Sequence, residues 1–360
     1  MTMPLESQYT LFESVEQMLA RETLSGLLSQ SVTRVDCQPM NGHSGLAGGQ
    51  LNYVDTNVGR FVLKQMSIAS DWIMFASDDK YCRSVRLWQY GLLDRLRPNL
   101  EHKIIACTRD GEGWAILMDD LTGHVYGWDR PMEAKLVPVF LDVLAMFHAT
   151  YWNDPRLKEP RLGLCNPAQL LDQSSLPVAQ KYKHLSMGLI PEWIRVGWEV
   201  MEALLEPDVF EQLHDLSQNP QPLFDALTRY PYTLLHGDYR AENLAHPKQP
   251  VAIDWQEATR SLMTIDLAWF VKQDFVREAM GQAQAVNYYR QRLEANLGLQ
   301  FDDTTWQTMV DLGYLVDTLR AACFTAYWYK QTSDNPEDAV SLEMAVKIRN
   351  QQVREAMRWL

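Results

Sequence analysis

Cysteine is scarce and scattered in this chain of 360 residues. The five cysteines are Cys37, Cys82, Cys107, Cys165 and Cys323, and no two of them form a C-x-x-C pair. Structural zinc sites and disulfide frameworks need paired or closely spaced cysteines, so the sequence predicts neither. An odd number of dispersed cysteines is typical of free thiols in a reducing compartment. We therefore expect a cytoplasmic protein.

Long apolar runs and a surplus of positive charge are also missing. The most apolar stretch, residues 136–147, is interrupted by Asp142 and is shorter than the roughly 20 residues that cross a bilayer. The N-terminus carries Glu6, Glu13 and Glu16 without an apolar core, so no signal peptide is expected. A formal net charge of -13 leaves no basic excess for nucleic acid. These absences predict a protein that acts on neither membranes nor nucleic acids.

The composition is otherwise that of a soluble globular protein, with 46% apolar and 22% charged residues. Because 360 residues exceed one typical domain, we expect two lobes with separate cores. Apolar residues recur at helical spacing in the first thirty or so positions, and short alternating runs with turn signals follow from Val35. Helical spacing returns at Leu136, Phe140 and Val143. This order predicts an α+β protein.

Two short apolar runs, residues 232–235 and 251–253, have the character of buried strands, and an aspartate follows each of them. Asn243 lies five positions after the first aspartate, Asp238. That is the spacing of the aspartate and asparagine in the kinase catalytic loop H-R-D-x-x-x-x-N. Asp254 follows the second run, where a kinase has the metal-binding aspartate of D-F-G. The pattern predicts a site for phosphoryl transfer.

The chemistry explains these residue types. Phosphoryl transfer needs a carboxylate that orients the attacking hydroxyl and accepts its proton, and Asp238 fits this role. His236 belongs to the same catalytic set as the residue that braces the loop. Mg²⁺ takes few protein ligands and fills its octahedron with water and phosphate oxygens, so Asn243 and Asp254 suffice as metal ligands. The alternative is a polar hairpin whose aspartate and asparagine only cap turns.

A glycine-rich segment, residues 41–49, precedes the first alternating strands. Glycine lets backbone N–H groups approach phosphate oxygens, so Gly45 and Gly48 are candidate nucleotide-binding residues, and Ser44 adds a hydroxyl donor. The segment matches neither G-x-G-x-x-G nor the Walker pattern G-x-x-x-x-G-K-[ST]. An ordinary hairpin loop is therefore an equally good interpretation of this segment alone.

Lys64 ends the run F-V-L-K, which resembles the V-A-I-K strand of kinases. Period-two alternation places Val62 on the same face, so we expect Val62 to cover the adenine and Lys64 to bind the phosphates. A kinase holds this lysine with a glutamate on the following helix. The first turns of that predicted helix, residues 77–84, contain no glutamate. We expect Asp79 or Asp78 to take its place.

The motifs together resemble a known superfamily. H-G-D-Y-R-A-E-N at residues 236–243 and I-D-W-Q at 253–256 are similar to segments of the aminoglycoside phosphotransferase and choline kinase superfamily, particularly its ecdysteroid-kinase-like branch. F-H-A-T-Y-W at 147–152 is similar to the H-A-x-x-W segment of that branch, and I-D-L-A-W at 265–269 resembles the family's D-L-A segment. The likeness extends over ordered motifs between about residues 39 and 270.

The resemblance implies a protein-kinase-like fold of two lobes. A small antiparallel-sheet lobe with N-terminal helices would occupy residues 1–118, and a larger, mainly helical lobe would occupy 119–360. Backbone groups of Met118, Asp119 and Asp120 would bind adenine at the linker. The implied activity is Mg²⁺-dependent transfer of the γ-phosphoryl group of ATP, with GTP left open, to a hydroxyl of a small-molecule acceptor.

Two further residues receive supporting roles from the resemblance. Asp266 would be a buried carboxylate that accepts backbone N–H groups of the catalytic loop, and His148 would support that loop from its helix.

Two other functions stay open. A catalytically weak or inactive nucleotide-binding regulatory protein is favoured by the missing glutamate and opposed by the intact Asp238, Asn243 and Asp254. A protein kinase acting on polypeptides is opposed by the short connection between Asp254 and Asp266, which has no A-P-E segment.

Overall fold

A computed structural model gives the structure of the protein and describes residues 5–40, 47–127, 129–185, 187–332 and 336–360, without the side chains of 332 and 336–345. Strands dominate the first third of the chain and helices dominate the rest, as the apolar spacing predicts. Among the helices in these ranges, none combines the length and the apolar character that a membrane span requires.

The first third contains two short helices, an antiparallel sheet and two helices inserted between its strands. Their bounds are α1 Val15–Met18, α2 Arg21–Leu28, β1 Val35–Pro39, β2 Gln50–Thr56, β3 Arg60–Met66, α3 Trp72–Ala76, α4 Arg83–Gln89, β4 Ile104–Asp110 and β5 Gly113–Asp119. The strand order is β1-β2-β3-β5-β4. In this register Lys64 on β3 lies opposite Leu51 on β2 and Ile116 on β5.

The two faces of the sheet have different neighbours because side chains alternate along a strand. Leu63 and Phe61 face a small apolar cluster that includes Met18 of α1 and Leu24 of α2. The next residue, Lys64, points to the opposite face. The sheet therefore covers its own core with one face and presents Lys64 with the other.

The rest of the chain is mainly helical. It contains α5 Val137–Thr150, α6 Pro167–Asp172, α7 Leu176–Lys181, α8 Ile190–Leu204, α9 Pro207–Gln218, α10 Gln221–Leu227, β6 Thr233–Leu235, β7 Leu244–Ala245, β8 Val251–Ala252, β9 Thr259–Ser261, α11 Thr264–Val271, α12 Asp274–Met280, α13 Gln282–Leu297, α14 Asp303–Thr332 and α15 Pro336–Met357. Short 3₁₀ turns cover Leu93–Leu96, Ala134–Leu136, Pro155–Lys158, Pro160–Leu162, Ala241–Asn243 and Trp255–Glu257.

Both predicted buried strands in the middle of the chain are present as β6 and β8, but they pair with separate partners. β6 pairs with β9, and β8 pairs with β7. The segment before β4 also contacts β8, because the Ala252 N–H donates a hydrogen bond to the Glu101 carbonyl at 2.9 Å. This contact ties β8 to the connection that leads into the five-stranded sheet.

The apolar interior is less divided than we expected from chain length. The largest cluster of buried residues includes Trp72 and Val85 from the first third of the chain together with Phe147, Leu234 and Trp255 from the helical part. The expectation of two separate cores is therefore wrong. The far face of the sheet has a small cluster of its own, and a third cluster contains Leu121, Ala245 and Val251.

Helix α14 lies at the centre of the helical part, where it contacts α8, α11 and α15. Its contact with α8 is close, because a Cβ atom at Gly197 of α8 would lie 1.9 Å from the Cys323 carbonyl oxygen. A second close approach occurs at Gly313, where a Cβ would lie 2.5 Å from the carbonyl oxygen of Thr264. Glycine at these two positions lets α8 and α11 pack directly on α14.

Candidate active site

The segment after β6, residues 236–243, is here called the HGD loop, and a buried carboxylate holds its start. Asp266 of α11 accepts hydrogen bonds from the N–H groups of His236 at 2.7 Å and Gly237 at 2.9 Å. Nε2 of the buried His148 lies 3.4 Å from the same carboxylate, and the Tyr289 hydroxyl lies 2.5 Å from His148 Nδ1. Burial lowers the pKa of His148, although Asp266 opposes this. Asp266 thus makes the contacts that the resemblance implied.

His236 is fully buried and uses both ring nitrogens inside the protein. Its Nδ1 accepts a hydrogen bond from the Asp238 N–H at 3.2 Å, so its Nε2 carries the proton and donates to the Ile253 carbonyl at 2.9 Å. Burial lowers the pKa of His236, which agrees with a neutral ring. These contacts join the HGD loop to the end of β8, as expected of a residue that braces the loop.

Asp238 carries an ionised carboxylate with fixed partners. Its Oδ1 accepts a hydrogen bond from Trp269 Nε1 at 2.8 Å and lies 3.1 Å from Arg240 Nε. Its Oδ2 accepts from Asn243 Nδ2 at 2.8 Å. Burial raises the pKa of Asp238, but the charges of Arg240 and Arg320 outweigh burial and leave this pKa below its ordinary value. Its side chain keeps 15% exposure and is therefore within reach of a ligand.

The two predicted metal ligands lie on adjoining backbone. The Asn243 carbonyl accepts a hydrogen bond from the Ile253 N–H at 2.9 Å. Asp254 is the residue after Ile253, so this hydrogen bond holds the backbone of the two predicted ligands close together. Asp254 has φ 64°, a left-handed conformation that is uncommon outside glycine, and its side chain is 37% exposed. Within the described part of the chain, the side-chain oxygen Asn243 Oδ1 accepts no hydrogen bond. An amide oxygen and a carboxylate are hard donors, which suit Mg²⁺ better than soft metals.

The described residues contain no cluster of three or more histidine, cysteine or acidic side chains that could hold a metal. Mg²⁺ takes few protein ligands and completes its octahedron with water and phosphate oxygens, so the amide oxygen of Asn243 and the carboxylate of Asp254 fit this ion as a partner of a bound nucleotide.

Lys64 reaches this site from the sheet. Its Nζ lies 2.7 Å from Asp254 Oδ1 and 2.5 Å from Gln256 Oε1, and its side chain is only 14% exposed. Gln256 in turn donates from Nε2 to Asp71 Oδ1 at 3.2 Å. The fold thus brings together the four side chains that the motifs singled out, with Lys64 bound to Asp254 and Asp238 bound to Asn243.

A cavity lies between the sheet and the segment that carries Asp254. Its lining includes Lys64, Ile116 and Met118 from the sheet and Ile253 and Asp254 from the other side. Lys64 and Met118, both predicted nucleotide-binding residues, therefore border one space.

Val62, expected on the same side, is the cross-strand partner of Met118 and is buried, but it is not among the residues that line the cavity. Its predicted contact with adenine stays a prediction.

The other predicted nucleotide-binding residues have local partners or lie outside the described residues. The Asp119 N–H donates to the Lys103 carbonyl at 3.0 Å, and Asp120 Oδ1 accepts from the Thr122 N–H at 2.8 Å. Gly48 packs against backbone, because a Cβ there would lie 2.1 Å from the Ser70 carbonyl oxygen. Ser44 and Gly45 lie outside the described residues.

Both aspartates expected to hold Lys64 have other cations as partners. Asp79 is buried, accepts a hydrogen bond from the Arg83 N–H at 3.0 Å and lies 3.6 Å from the Arg83 guanidinium. Asp78 pairs with Lys80 at 3.1 Å. The expectation is wrong because α4 begins only at Arg83, so both aspartates precede the helix and Arg83 lies nearer to Asp79.

Two residues without a predicted role, Trp269 and Asp71, also contact the site. Trp269 follows Asp266 by three residues on α11, a spacing that places both on one helix face, and this periodicity was a usable signal. Asp71 caps α3 by accepting a hydrogen bond from the Met74 N–H at 3.0 Å. Its position before the apolar run W-I-M-F signals a helix start, but nothing local connects it to Lys64.

A kinase-like fold that places a lysine and an aspartate at one cavity, with a second aspartate and an asparagine on the adjoining backbone, defines the protein as a small-molecule kinase. The sequence model of the phosphotransferase enzyme family, APH, matches residues 43–304, which is more than half of the chain. The chain belongs to this phosphotransferase family. No curated protein matches it significantly.

Solved structures share the fold. Ethanolamine kinase from Plasmodium vivax is 11% identical with a TM-score of 0.51, over 88% of this chain and 84% of that chain. Amicoumacin kinase bound to AMP-PNP, Ca²⁺ and Ami is 12% identical with a TM-score of 0.50, over 88% of both chains. Choline kinase LicA from Streptococcus pneumoniae is 14% identical with a TM-score of 0.47, over 92% of this chain and 97% of that chain.

The family model confirms the predicted superfamily. The structures of ethanolamine kinase and amicoumacin kinase confirm the protein-kinase-like α+β fold. With the family model, they also confirm the prediction of a small-molecule kinase. The ecdysteroid-kinase-like branch stays a prediction, as does the lobe boundary at residue 118.

Proposed function

We propose that this protein transfers the γ-phosphoryl group of ATP to a hydroxyl group of a small molecule in a Mg²⁺-dependent reaction. The observation that carries the proposal is the arrangement of four side chains from distant parts of the chain. Asp238 and Asn243 are joined at 2.8 Å, Lys64 and Asp254 are joined at 2.7 Å, and the Ile253 N–H links the two pairs through the Asn243 carbonyl.

Asp238 would act as the base. Trp269 and Asn243 fix its two carboxylate oxygens, so the group can orient the acceptor hydroxyl before transfer. The bond from the hydroxyl oxygen to the γ-phosphorus forms while the bond from that phosphorus to the ADP oxygen breaks, and the hydroxyl proton passes to Asp238. The transition state is loose, so the hydroxyl needs little activation and a weakly basic carboxylate suffices.

Asn243 and Asp254 would hold Mg²⁺, which when bound would neutralise the negative charge on the β- and γ-phosphates. Lys64 would add an ammonium group to the same phosphates, since it borders the cavity and already lies beside Asp254. The adenine would lie near Met118, with backbone groups of residues 118–120 as its polar partners and Val62 above the ring. Amicoumacin kinase is bound to the adenine nucleotide AMP-PNP, which supports ATP as the phosphoryl donor, with GTP as the alternative.

We also propose a cytoplasmic location. All five cysteines are free, and four of them are buried. Burial raises the pKa of Cys82, Cys107, Cys165 and Cys323, which keeps these thiols protonated. A reducing compartment suits such a set of unpaired thiols.

The proposal is tested with purified protein, ATP, Mg²⁺ and a panel of amino alcohols, amino sugars, sugars and sterols. A true acceptor should raise the melting temperature in the presence of a non-hydrolysable ATP analogue, because it binds the folded state. Mass spectrometry should then show a phosphorylated product. Replacing Asp238 by alanine should lower kcat by about 10² to 10⁴, the loss typical of a positioned base.

The matched control is Asp215→Ala, because the Asp215 side chain is 78% exposed and lies on α9 away from the site. This variant should keep wild-type kcat. A protein that binds nucleotide, forms no phosphorylated product and shows no slow ATP hydrolysis would be the inactive regulatory protein instead. An Asp254→Ala protein that turns over normally with Mg²⁺ would contradict the metal assignment.

A further inference from the structure

A buried aspartate beside Lys64 has an unused carboxylate oxygen. The side chain of Asp71 is fully buried, and its Oδ1 accepts hydrogen bonds from the Met74 N–H at 3.0 Å and from Gln256 Nε2 at 3.2 Å. Its Oδ2 has no hydrogen-bond partner within the described ranges. A buried carboxylate oxygen without a donor is costly, so a charged partner is needed nearby.

The free oxygen faces the stem of Lys64 across a space that Gly49 leaves open. A Cβ atom built at Gly49 would lie 3.3 Å from Asp71 Oδ2 and 3.8 Å from Lys64 Cε. The two groups therefore border the same small volume. Burial raises the pKa of Asp71, and the charge of Lys64 is the main influence that opposes this rise.

Lys64 needs such a second partner. Its present anionic partner, Asp254, is also the proposed ligand for Mg²⁺. A carboxylate that is shared between Lys64 and Mg²⁺ binds each of these cations more weakly than it would bind one alone. Asp79, the alternative carboxylate in this region, already pairs with Arg83. Gln256 connects the candidates, because it bonds to Lys64 through Oε1 and to Asp71 through Nε2.

We infer that Asp71, acting with Gln256, is the positioning carboxylate of Lys64 and replaces the glutamate that kinases carry on the following helix. Asp71 holds the ammonium in the cavity while Asp254 is released for the metal. This inference rests on the proposed function, since it assigns Asp254 to Mg²⁺ and Lys64 to the phosphates.

The test is Asp71→Asn. Asparagine is as good a helix N-cap as aspartate and can still accept the hydrogen bond from Gln256, so the variant removes the charge and little else. Without that charge Lys64 stays on Asp254 and competes with the metal. We expect the Mg²⁺ concentration for half-maximal ADP binding, measured by calorimetry, to rise about tenfold, with a similar rise in the KM for ATP and a melting temperature close to wild type.

Two further variants separate positioning from a structural role. In a Lys64→Met background, Asp71→Asn should change neither ADP binding nor its Mg²⁺ dependence, because the cation it positions is gone. Gly49→Ala fills the space between the two side chains and should shift the Mg²⁺ dependence in the same direction as Asp71→Asn. Asp78→Asn is the control, since that aspartate is exposed and pairs with Lys80, and it should behave as wild type.

The outcomes distinguish this inference from the proposed function. Wild-type Mg²⁺ dependence in Asp71→Asn and Gly49→Ala would overturn the inference, while product formation by the wild-type enzyme would leave the proposed function intact. An effect of Asp71→Asn that persists in the Lys64→Met background would also overturn it, because the role would then be structural. A wild-type protein that binds Mg²⁺ and ADP but phosphorylates no acceptor would defeat the proposed function, and the binding assay would still decide the role of Asp71.

Discussion

Arg83 of α4 donates a hydrogen bond from Nη1 to the main-chain carbonyl of Gln256, 3.1 Å away. The same guanidinium donates to the Ser77 side chain and to the carbonyls of Ser77 and Gly163, each at 2.7 Å. Its side chain is 1% exposed and lies beside the equally buried Asp79. A buried arginine thus stands in the segment where kinases carry a glutamate, and it joins α4 to the segment that follows β8.

Replacing Arg83 by methionine should strongly destabilise the protein. The change leaves Asp79 as a buried charge without its cation, and loss of one partner of a buried pair costs about 3–5 kcal/mol. Denaturant unfolding should show this loss. The matched control is Arg97→Met, whose side chain is 49% exposed and pairs with Asp94 and Glu101. An exposed pair contributes about 1 kcal/mol or less, so equal losses in both variants would contradict the structural role of Arg83.

Trp269→Phe should slow catalysis without unfolding the protein. The indole Nε1 donates to Asp238 Oδ1 at 2.8 Å, and phenylalanine keeps an aromatic ring but lacks this donor. A hydrogen bond to a charged group contributes about 1.5–3 kcal/mol, so kcat should fall by about tenfold or more.

Steady-state kinetics with an identified acceptor would measure the effect of Trp269→Phe. Trp198→Phe is the comparison, since it removes a buried hydrogen bond from the indole of Trp198, on α8, to the Ser174 carbonyl. Similar kcat losses in both variants would show that the Trp269 contact has no special role.

The sequence predicted the site well where the site is encoded locally. Asp238 and Asn243 are five residues apart and bond directly to each other, so their spacing is a feature of one tight loop. Lys64 and Asp254 each end an apolar run, and alternation along the chain fixes the direction of the lysine. These features do not depend on which strands pair with each other in the sheet.

Partners that depend on distant chain could not be predicted in the same way. The contact between Lys64 and Asp254 spans 190 residues, and the contact between Gln256 and Asp71 spans 185. No periodicity links such positions. β8 contains only two residues and β6 only three, so their registers with β7 and β9 depend on the surrounding helices rather than on strand pattern. The same limit explains why Asp79 was expected to hold Lys64.

Acid should destabilise the protein through its buried histidines. Burial lowers the pKa of both His148 and His236 below the ordinary value of 6.5. Just below that pH the unfolded chain binds protons that the folded chain does not, so the free energy of unfolding falls as the pH falls. Each histidine contributes a slope of at most about 1.4 kcal/mol per pH unit.

His148→Gln should flatten this pH dependence, because glutamine keeps polar contacts with Tyr289 and Asp266 but does not titrate. Unfolding free energies between pH 7.5 and pH 5 would reveal the change in slope. His214→Gln, at a half-buried position on α9, shows the effect of losing a histidine outside the network. A slope in His148→Gln as steep as in the wild type would contradict the assignment.

Gly237→Ala should disable the HGD loop, whereas the same change at Gly298 should be mild. Both glycines have positive φ, +85° and +66°, which costs alanine about 1–2 kcal/mol. At Gly237 the added Cβ would also lie 2.1 Å from the Glu257 carbonyl oxygen, whereas at Gly298 it meets nothing within 4 Å. The loop must then shift from Asp266 and carry Asp238 with it. We expect kcat to fall at least about 10²-fold in Gly237→Ala and to stay near the wild-type value in Gly298→Ala. Equal kcat in both variants would show that the loop tolerates displacement.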